Sequence, residues 1–109
     1  MIGLKELYSA LEKGTGYPVA NIAFAKMVSV PFIVIMTEGS ENLIADNKVY
    51  KKFEDVEVEL YTDKRDLEAE SSVEKILDDL SIPYQTNAYF IAEEKLLKTS
   101  YSITIKGDK

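Results

Sequence analysis

The stretch Leu96-Leu-Lys-Thr-Ser-Tyr-Ser-Ile-Thr-Ile105 alternates between two kinds of side chain along its length. Successive side chains of a β-strand point to opposite faces of the sheet. The pattern therefore predicts a strand in a sheet with one packed face and one wet face. Residues 84–92, followed by the turn 93–95, predict the first strand of the same hairpin. The predicted packed face of 96–105 consists of Leu97, Thr99, Tyr101, Ile103 and Ile105.

A helix is predicted immediately before this hairpin. Asp66 is a favourable N-cap, because its carboxylate can accept a hydrogen bond from a free N–H group of the first turn. Pro83 blocks continuation of the helix and favours an extended Ile82. Apolar side chains at helical spacing predict one packed stripe, made of Ala69, Val73, Ile76, Leu77 and Leu80.

The N-terminal part of the chain adds a helix and two strands. Residues 2–13 carry leucines and a tyrosine at helical spacing, and Gly14 is the predicted left-handed stop of this helix. Residues 19–25 predict a short strand. The run Pro31-Phe-Ile-Val-Ile-Met36 is apolar on both faces, which is typical of a strand covered on both sides. We expect it to lie inside the sheet or inside an assembly.

Residues 37–47 are polar apart from Leu43 and Ile44. Their length predicts a mobile loop rather than a simple hairpin turn. Two further strands are predicted at 48–53 and 56–62. In the second, valines and a leucine alternate with glutamates and a tyrosine, which is the pattern of a half-buried strand.

Together these elements predict one α+β domain over residues 1–109, with residues 106–109 as a C-terminal tail. Two amphipathic helices pack on a mostly antiparallel sheet of four to six strands, which gives two layers. A two-layer domain leaves one sheet face or edge without cover, and we expect a partner to bind there.

The residue types restrict the possible chemistry. The chain has no cysteine and no histidine, which removes thiol nucleophiles, the commonest general base and the commonest transition-metal ligand. The adjacent acids Asp78-Asp79 and Glu93-Glu94 point in different directions on a helix or strand, so neither pair converges on a proton or a metal ion. We therefore predict a protein that is not an enzyme and has no cofactor, no catalytic residues and no metal ligands.

The net charge of −6 is unevenly distributed. Residues 54–80 hold eleven acids and three bases and carry −8, whereas the rest of the chain carries +2. Because phosphate binding requires Lys and Arg, this segment predicts a solvated face rather than a nucleic-acid grip. The apolar run at 30–36 is too short to span a membrane, and the N-terminus carries no secretory signal. We expect no membrane partner.

Several blocks of the sequence resemble one protein family. In order over residues 1–105, they resemble the small tail-completion, head–tail joining and minor tail component proteins of prophages and long-tailed phages of Gram-positive bacteria. Leu67 departs from the family pattern, in which proline often follows the equivalent of Asp66; proline is favoured but not required at a first helical position. The blocks are Pro31-Phe-Ile-Val34, Glu38-Gly-Ser-Glu-Asn42, Ala45-Asp-Asn-Lys-Val-Tyr50, Val58-Glu-Leu-Tyr-Thr-Asp-Lys-Arg-Asp66 and Ile82-Pro-Tyr84.

The resemblance implies structural work in virion assembly, with no catalytic residues. It implies a homo-oligomeric ring, a hexamer, at the head–tail junction or the tail end, in contact with tail-tube or head-connector proteins. The protein would be made in the bacterial cytoplasm and located in the virion. DNA would pass nearby without being specifically bound, and acids of residues 54–80 that line or flank the channel would let it slide.

The predicted interface with other subunits or partners lies in the loop and just after it. A long loop is suited to becoming ordered on contact with a neighbour. The interface residues are Glu38, Ser40, Glu41, Asn42, Leu43, Ile44, Asp46, Asn47, Tyr50 and Lys52.

Two other classes of function stay open at this point. A small regulatory or ligand-binding α+β domain of the ferredoxin-like type would need an apolar pocket with convergent polar groups. An enzyme that uses a carboxylate pair would need two acids with opposed environments in a cleft. No pair in the sequence suggests such a cleft, so the enzyme ranks last.

Overall fold

The computed structural model describes residues 2–37 and 53–106. In these ranges the five strands form one sheet in the order β1-β2-β3-β5-β4. β1 and β2 are parallel, and the other neighbouring pairs are antiparallel. The predicted α+β fold, with two helices and a mostly antiparallel sheet, is confirmed. In chain order the elements are α1 (Leu4–Thr15), β1 (Val19–Asn21), β2 (Phe32–Thr37), β3 (Phe53–Thr62), α2 (Leu67–Asp79), β4 (Gln85–Ile91) and β5 (Leu96–Lys106).

One face of the sheet packs on both helices. Leu7 and Leu11 of α1, with Val73 and Leu77 of α2, are fully buried against it. The other side of the sheet, away from the helices, is called the open face below. The alternation predicted for β3 and β5 is confirmed, because their buried apolar side chains lie on the helix side. In β2, Val34 is buried on the open face. The core side chains of the three central strands on the helix side are Ile33, Ile35, Val56, Val58, Leu60, Tyr101, Ile103 and Ile105.

The helix α1 begins and ends two residues later than predicted. Its left-handed C-cap is Gly16, with φ of 78°, whereas Gly14 lies inside the helix. Gly14 serves packing instead, since a Cβ there would overlap the Ile76 side chain of α2. β1 ends at Asn21 and not at residue 25, because Ile22 has φ of 78° and turns the chain out of the strand.

The elements α2, β2, β4 and β5 follow the predictions closely. Asp66 caps α2 by accepting a hydrogen bond from the Ala69 N–H at 3.0 Å. β2 lies inside the sheet, as its apolar faces indicated. Thr37, predicted as the start of the loop, is the last residue of β2, and Lys106, predicted as tail, is the last residue of β5.

The prediction of separate strands at 48–53 and 56–62 is wrong at one point. Phe53 belongs to the same strand as Thr62, because the chain stays paired with β5 without a break from Phe53 onward. Residues 48–52, the rest of the predicted loop and residues 107–109 lie outside the described residues.

Candidate subunit interface

All ten residues predicted for the interface fall between Glu38 and Lys52, outside the described ranges. Their role in assembly stays a prediction. The structure shows other surfaces that a partner could cover, on the open face, at the edge strand β4 and in the segment after β1.

A row of carboxylates runs along β3 on the open face. Asp55, Glu57 and Glu59 alternate with buried valines, and each contacts a side chain of β5. The row is therefore fixed in position and faces away from the core. The contacts are Thr104 Oγ1 to Asp55 at 2.9 Å, Ser102 Oγ to Glu57 at 2.7 Å and Lys98 Nζ to Glu59 at 3.6 Å.

An aromatic row crosses the same face. Phe32 stacks on Tyr61 with ring centroids 4.9 Å apart, and Phe24 meets Phe32 edge-on at 5.5 Å. Lys98 lies opposite Tyr61 in the register, and its Nζ is 4.8 Å from the ring centroid of Tyr89 on β4. The row thus continues from the segment after β1, across β2, β3 and β5, to the edge strand.

Carboxylates hold two tyrosine hydroxyls on opposite sides of the sheet. Tyr61 donates to Glu59 Oε1 at 2.9 Å on the open face, and Tyr101 donates to Glu74 Oε2 of α2 at 2.9 Å on the helix side. Burial, together with these hydrogen bonds, raises the pKa of Tyr61 and the pKa of Tyr101 well above the usual tyrosine range. Both hydroxyls therefore act as donors, and the second ties α2 to β5.

The sheet divides the acidic segment 54–80 into two surfaces. The carboxylate row of β3 faces one way, and the acids of α2 lie on the helix side. From its N-cap Asp66 to Asp79, α2 has six acids and one lysine and carries −5, whereas α1 has two acids and two lysines and carries no net charge. The two acidic surfaces therefore face in opposite directions, and a single channel wall would use one of them.

The strand β4 is at the edge of the sheet and is largely exposed. Six of its seven residues are exposed, and Tyr89 and Phe90 each retain 55% of their accessible surface. Its sequence, Gln-Thr-Asn-Ala-Tyr-Phe-Ile, has no charge, proline or glycine. Natural edge strands usually carry charged residues, proline or a β-bulge, or are very short. An exposed, uncharged strand of this length is typical of an edge that another chain covers.

The sheet register fixes which backbone groups of β4 point outward. Lys106 donates its N–H away from β3, to the Ile2 carbonyl at 2.8 Å. Backbone groups alternate in direction along an antiparallel strand, so the even-numbered residues of β5 point toward β4. Their partners on β4 are the odd-numbered residues. The outward N–H and C=O groups of β4 therefore belong to Thr86, Ala88 and Phe90.

The opposite edge of the sheet, β1, is better protected. It has three residues, and the Tyr8 hydroxyl of α1 donates to the Val19 carbonyl at 2.7 Å. The chain after it, residues 22–31 (Ile-Ala-Phe-Ala-Lys-Met-Val-Ser-Val-Pro), is called the apolar segment below. Ile22 is 56% exposed and Met27 is 92% exposed. A β-branched residue at positive φ is strained, so Ile22 presents its side chain outward at an energetic cost.

An open depression of about 700 Å³ lies where β5 extends past the start of β4. It contains two carboxylates, the two aliphatic hydroxyls of Ser102 and Thr104, and one amide, beside Pro83 and the phenol ring of Tyr84. Within 2–37 and 53–106, no group of three or more acidic side chains is arranged to hold a metal ion. The lining residues are Asp55, Val56, Glu57, Pro83, Tyr84, Gln85, Ser102, Ile103 and Thr104.

Sequence reasoning found β4 as a strand and missed its position at the edge. The uncharged run from Gln85 to Ile91 was the available signal, but it does not separate an unprotected edge strand from an internal strand, because both share that composition. The sequence predicts a strand over 19–25, which includes residues 22–25 of the apolar segment, and this prediction gives no indication of the segment's exposure.

The chain matches no family model and no curated protein sequence. Among solved structures, it is similar to a chain of a structure described as the virion of a native gene transfer agent (GTA) particle. The TM-score is 0.54 at 11% sequence identity, and the match covers 93% of this chain and 92% of that chain. At this identity the likeness concerns the fold. In the described part of the chain, no helix is long and apolar enough to cross a membrane.

Proposed function

We propose that this protein is a structural component of a phage-like virion, where it assembles with other virion proteins. The observation that carries the proposal is the fold likeness to a chain of a virion particle, which extends over 93% of this chain and 92% of that chain. The sequence blocks that resemble phage tail-completion and head–tail joining proteins point to the same class.

The finer proposal is a homo-oligomeric ring, a hexamer, at the head–tail junction or the tail end. Its neighbours would be tail-tube or head-connector proteins, and the protein would enter the virion after synthesis in the bacterial cytoplasm. The support is the free edge of β4 and the exposed apolar segment. They lie at the two opposite edges of the sheet, so each could contact a different neighbouring subunit.

The proposal includes no catalytic step. It is supported by a chain without cysteine or histidine and by carboxylates that are engaged by hydroxyl, lysine or arginine partners. In the ring, one of the two acidic surfaces would face the DNA, which would slide because like charges repel. We assign this role to the carboxylate row of β3, because the three side chains are held along one strand.

The proposal is tested in the phage, prophage or gene-transfer particle that encodes the protein. An in-frame deletion of its gene should give filled heads and separate tails in electron micrographs, and a copy supplied in trans should restore joined particles. The matched control is a copy with Leu67→Gln, which removes an exposed apolar side chain from another surface and should restore them equally. Normal numbers of infectious or DNA-delivering particles from the deletion would refute the role.

The depression beside Tyr84 favours a second candidate, a small regulatory or ligand-binding domain. Its carboxylates, hydroxyls and amide could orient a polar ligand against two rings. A small molecule that raises the melting temperature of the wild-type chain, and not of a Gln85→Ala variant, would support this candidate. The virion role predicts no such ligand.

A further inference from the structure

We propose that a second copy of this chain binds head to tail, with the free edge of β4 of one copy against β1 and the apolar segment of the next. This inference rests on the proposed ring and identifies the two surfaces that form it. Each surface is incomplete in the single chain, and each has a different physical reason for needing cover.

The β4 surface needs a partner for its backbone. Thr86, Ala88 and Phe90 direct their N–H and C=O groups away from β5, and no charged or proline residue protects them. The exposed rings of Tyr89 and Phe90 project from the two faces of the strand. A strand or extended segment of another chain would supply both hydrogen bonds and apolar contact.

The β1 surface needs a partner for its side chains. The apolar segment has eight apolar residues of ten and exposes Ile22 and Met27. The positive φ of Ile22 ends β1 and turns the chain out of the strand, although this conformation is unfavourable for a β-branched residue. Pro18 and Ile22 direct backbone groups toward β2, so those of Val19 and Asn21 point outward. Tyr8 caps the Val19 carbonyl, and the Asn21 groups remain for a neighbour.

The charge distribution decides between the two ways of covering β4 with a second copy. The helix α2 is tied to β5, beside β4, through the bond between Tyr101 and Glu74. Antiparallel pairing of two β4 strands about a two-fold axis would place both α2 helices on the same side of the joined sheet, each carrying −5. The like charges would repel.

Head-to-tail pairing avoids this repulsion. The helix α1 lies at the β1 side, as the Tyr8 to Val19 hydrogen bond shows, and carries no net charge. Residues 2–37 carry +1, whereas residues 53–106 carry −7, so the contact joins the acidic side of one copy to the weakly basic side of the next. Because β1 and β4 are the two edges of one sheet, the same contact can repeat until the ring closes.

Cysteine cross-linking tests the inference cleanly because the natural chain has no cysteine. Ala88→Cys marks the β4 surface and Ala23→Cys marks the β1 surface, both at exposed alanines. The two variants are treated with a short bis-maleimide reagent, separately and mixed. Leu67→Cys, at a 65% exposed site on neither surface, controls for random collision.

The expected result is a covalent dimer in the mixture, at least tenfold above the Leu67→Cys control, and little product from either variant alone. The double variant Ala23→Cys/Ala88→Cys should give a ladder that ends at the ring size. A dimer formed by Ala88→Cys alone would overturn the head-to-tail contact in favour of a two-fold one. If the wild type forms rings but the mixed variants give no more product than the Leu67→Cys control, the two proposed contact surfaces are wrong and the proposed ring stands. A wild type that stays monomeric would contradict the ring as well.

Discussion

Proline substitutions at two adjacent positions of β4 test both the sheet register and the role of the edge. Ala88 points its N–H outward, so Ala88→Pro removes no hydrogen bond within the chain, and proline is tolerated at such edge positions. Asn87 exchanges backbone hydrogen bonds with Ser100 of β5. Asn87→Pro therefore loses one of them and leaves the Ser100 carbonyl without its donor.

The magnitudes follow from this difference. Ala88→Pro should lower the free energy of unfolding by less than about 1 kcal/mol, because its effects on the folded edge are small and proline also restricts the unfolded chain. Asn87→Pro should cost about 2–3 kcal/mol, the sum of a lost hydrogen bond and an unsatisfied carbonyl. Urea unfolding followed by far-ultraviolet circular dichroism measures both values.

Ala88→Pro, which has the smaller effect on stability, should have a large effect on assembly. Ala88→Pro removes an outward N–H donor and places the pyrrolidine group where a neighbouring strand would pair. It should therefore abolish formation of the oligomeric ring, measured by gel filtration with light scattering, while the monomer stays folded. The reasoning is refuted if Ala88→Pro unfolds the chain as severely as Asn87→Pro, which would mean that the register is wrong. It is also refuted if Ala88→Pro assembles as well as the wild type.

Three other substitutions test separate features. Ile22→Asn should change the free energy of unfolding by less than about 1 kcal/mol, because relief of about 1–2 kcal/mol of backbone strain offsets lost burial, and it should weaken assembly in light scattering. Gly14→Ala should lower stability by about 1 kcal/mol in urea, since overpacking against Ile76 exceeds the gain in helix propensity, and Ile76→Val should recover part of the loss. The pKa values of Tyr61 and Tyr101 are raised in the folded chain, so the unfolded tyrosines release their protons first and stability should fall as the pH rises above about 10. Tyr101→Phe should make this fall less steep in unfolding curves collected at several alkaline pH values.

Each of these predictions has a contrary outcome. A loss of more than about 2 kcal/mol in Ile22→Asn would mean that Ile22 belongs to the fold rather than to a contact surface. A more stable Gly14→Ala would mean that the Ile76 side chain moves aside at little cost, so that the added methyl group is not overpacked. An unchanged alkaline profile in Tyr101→Phe would mean that its bond to Glu74 does not control the titration.

The fold could be predicted where local patterns and long-range packing agree. The alternation along β5 and the cap at Asp66 are both local signals, and the structure contains both. Helix α1 was misplaced by two residues because two glycines, Gly14 and Gly16, both fit a helix end. Only contact with Ile76, which is distant in sequence, shows that Gly14 belongs inside the helix.

The candidate interface was less accessible to sequence reasoning. The outward direction of the Ala88 backbone depends on strand order and register, which no local pattern encodes. The strand predicted at 19–25 fails at Ile22, where a β-branched residue takes a positive φ against its own preference. Conflicts of this kind between local preference and structure are expected at functional or strained sites. The ten residues predicted from the loop stay a prediction.

The central claim is that copies of this chain associate into a closed ring. The most direct measurement is native mass spectrometry of the purified wild-type chain over a wide concentration range, since each 12.3 kDa subunit adds a resolvable step in mass. The account predicts one discrete species at six times the subunit mass, in equilibrium with monomer. A chain that stays monomeric at its highest soluble concentration, or that forms only a dimer, would contradict the ring.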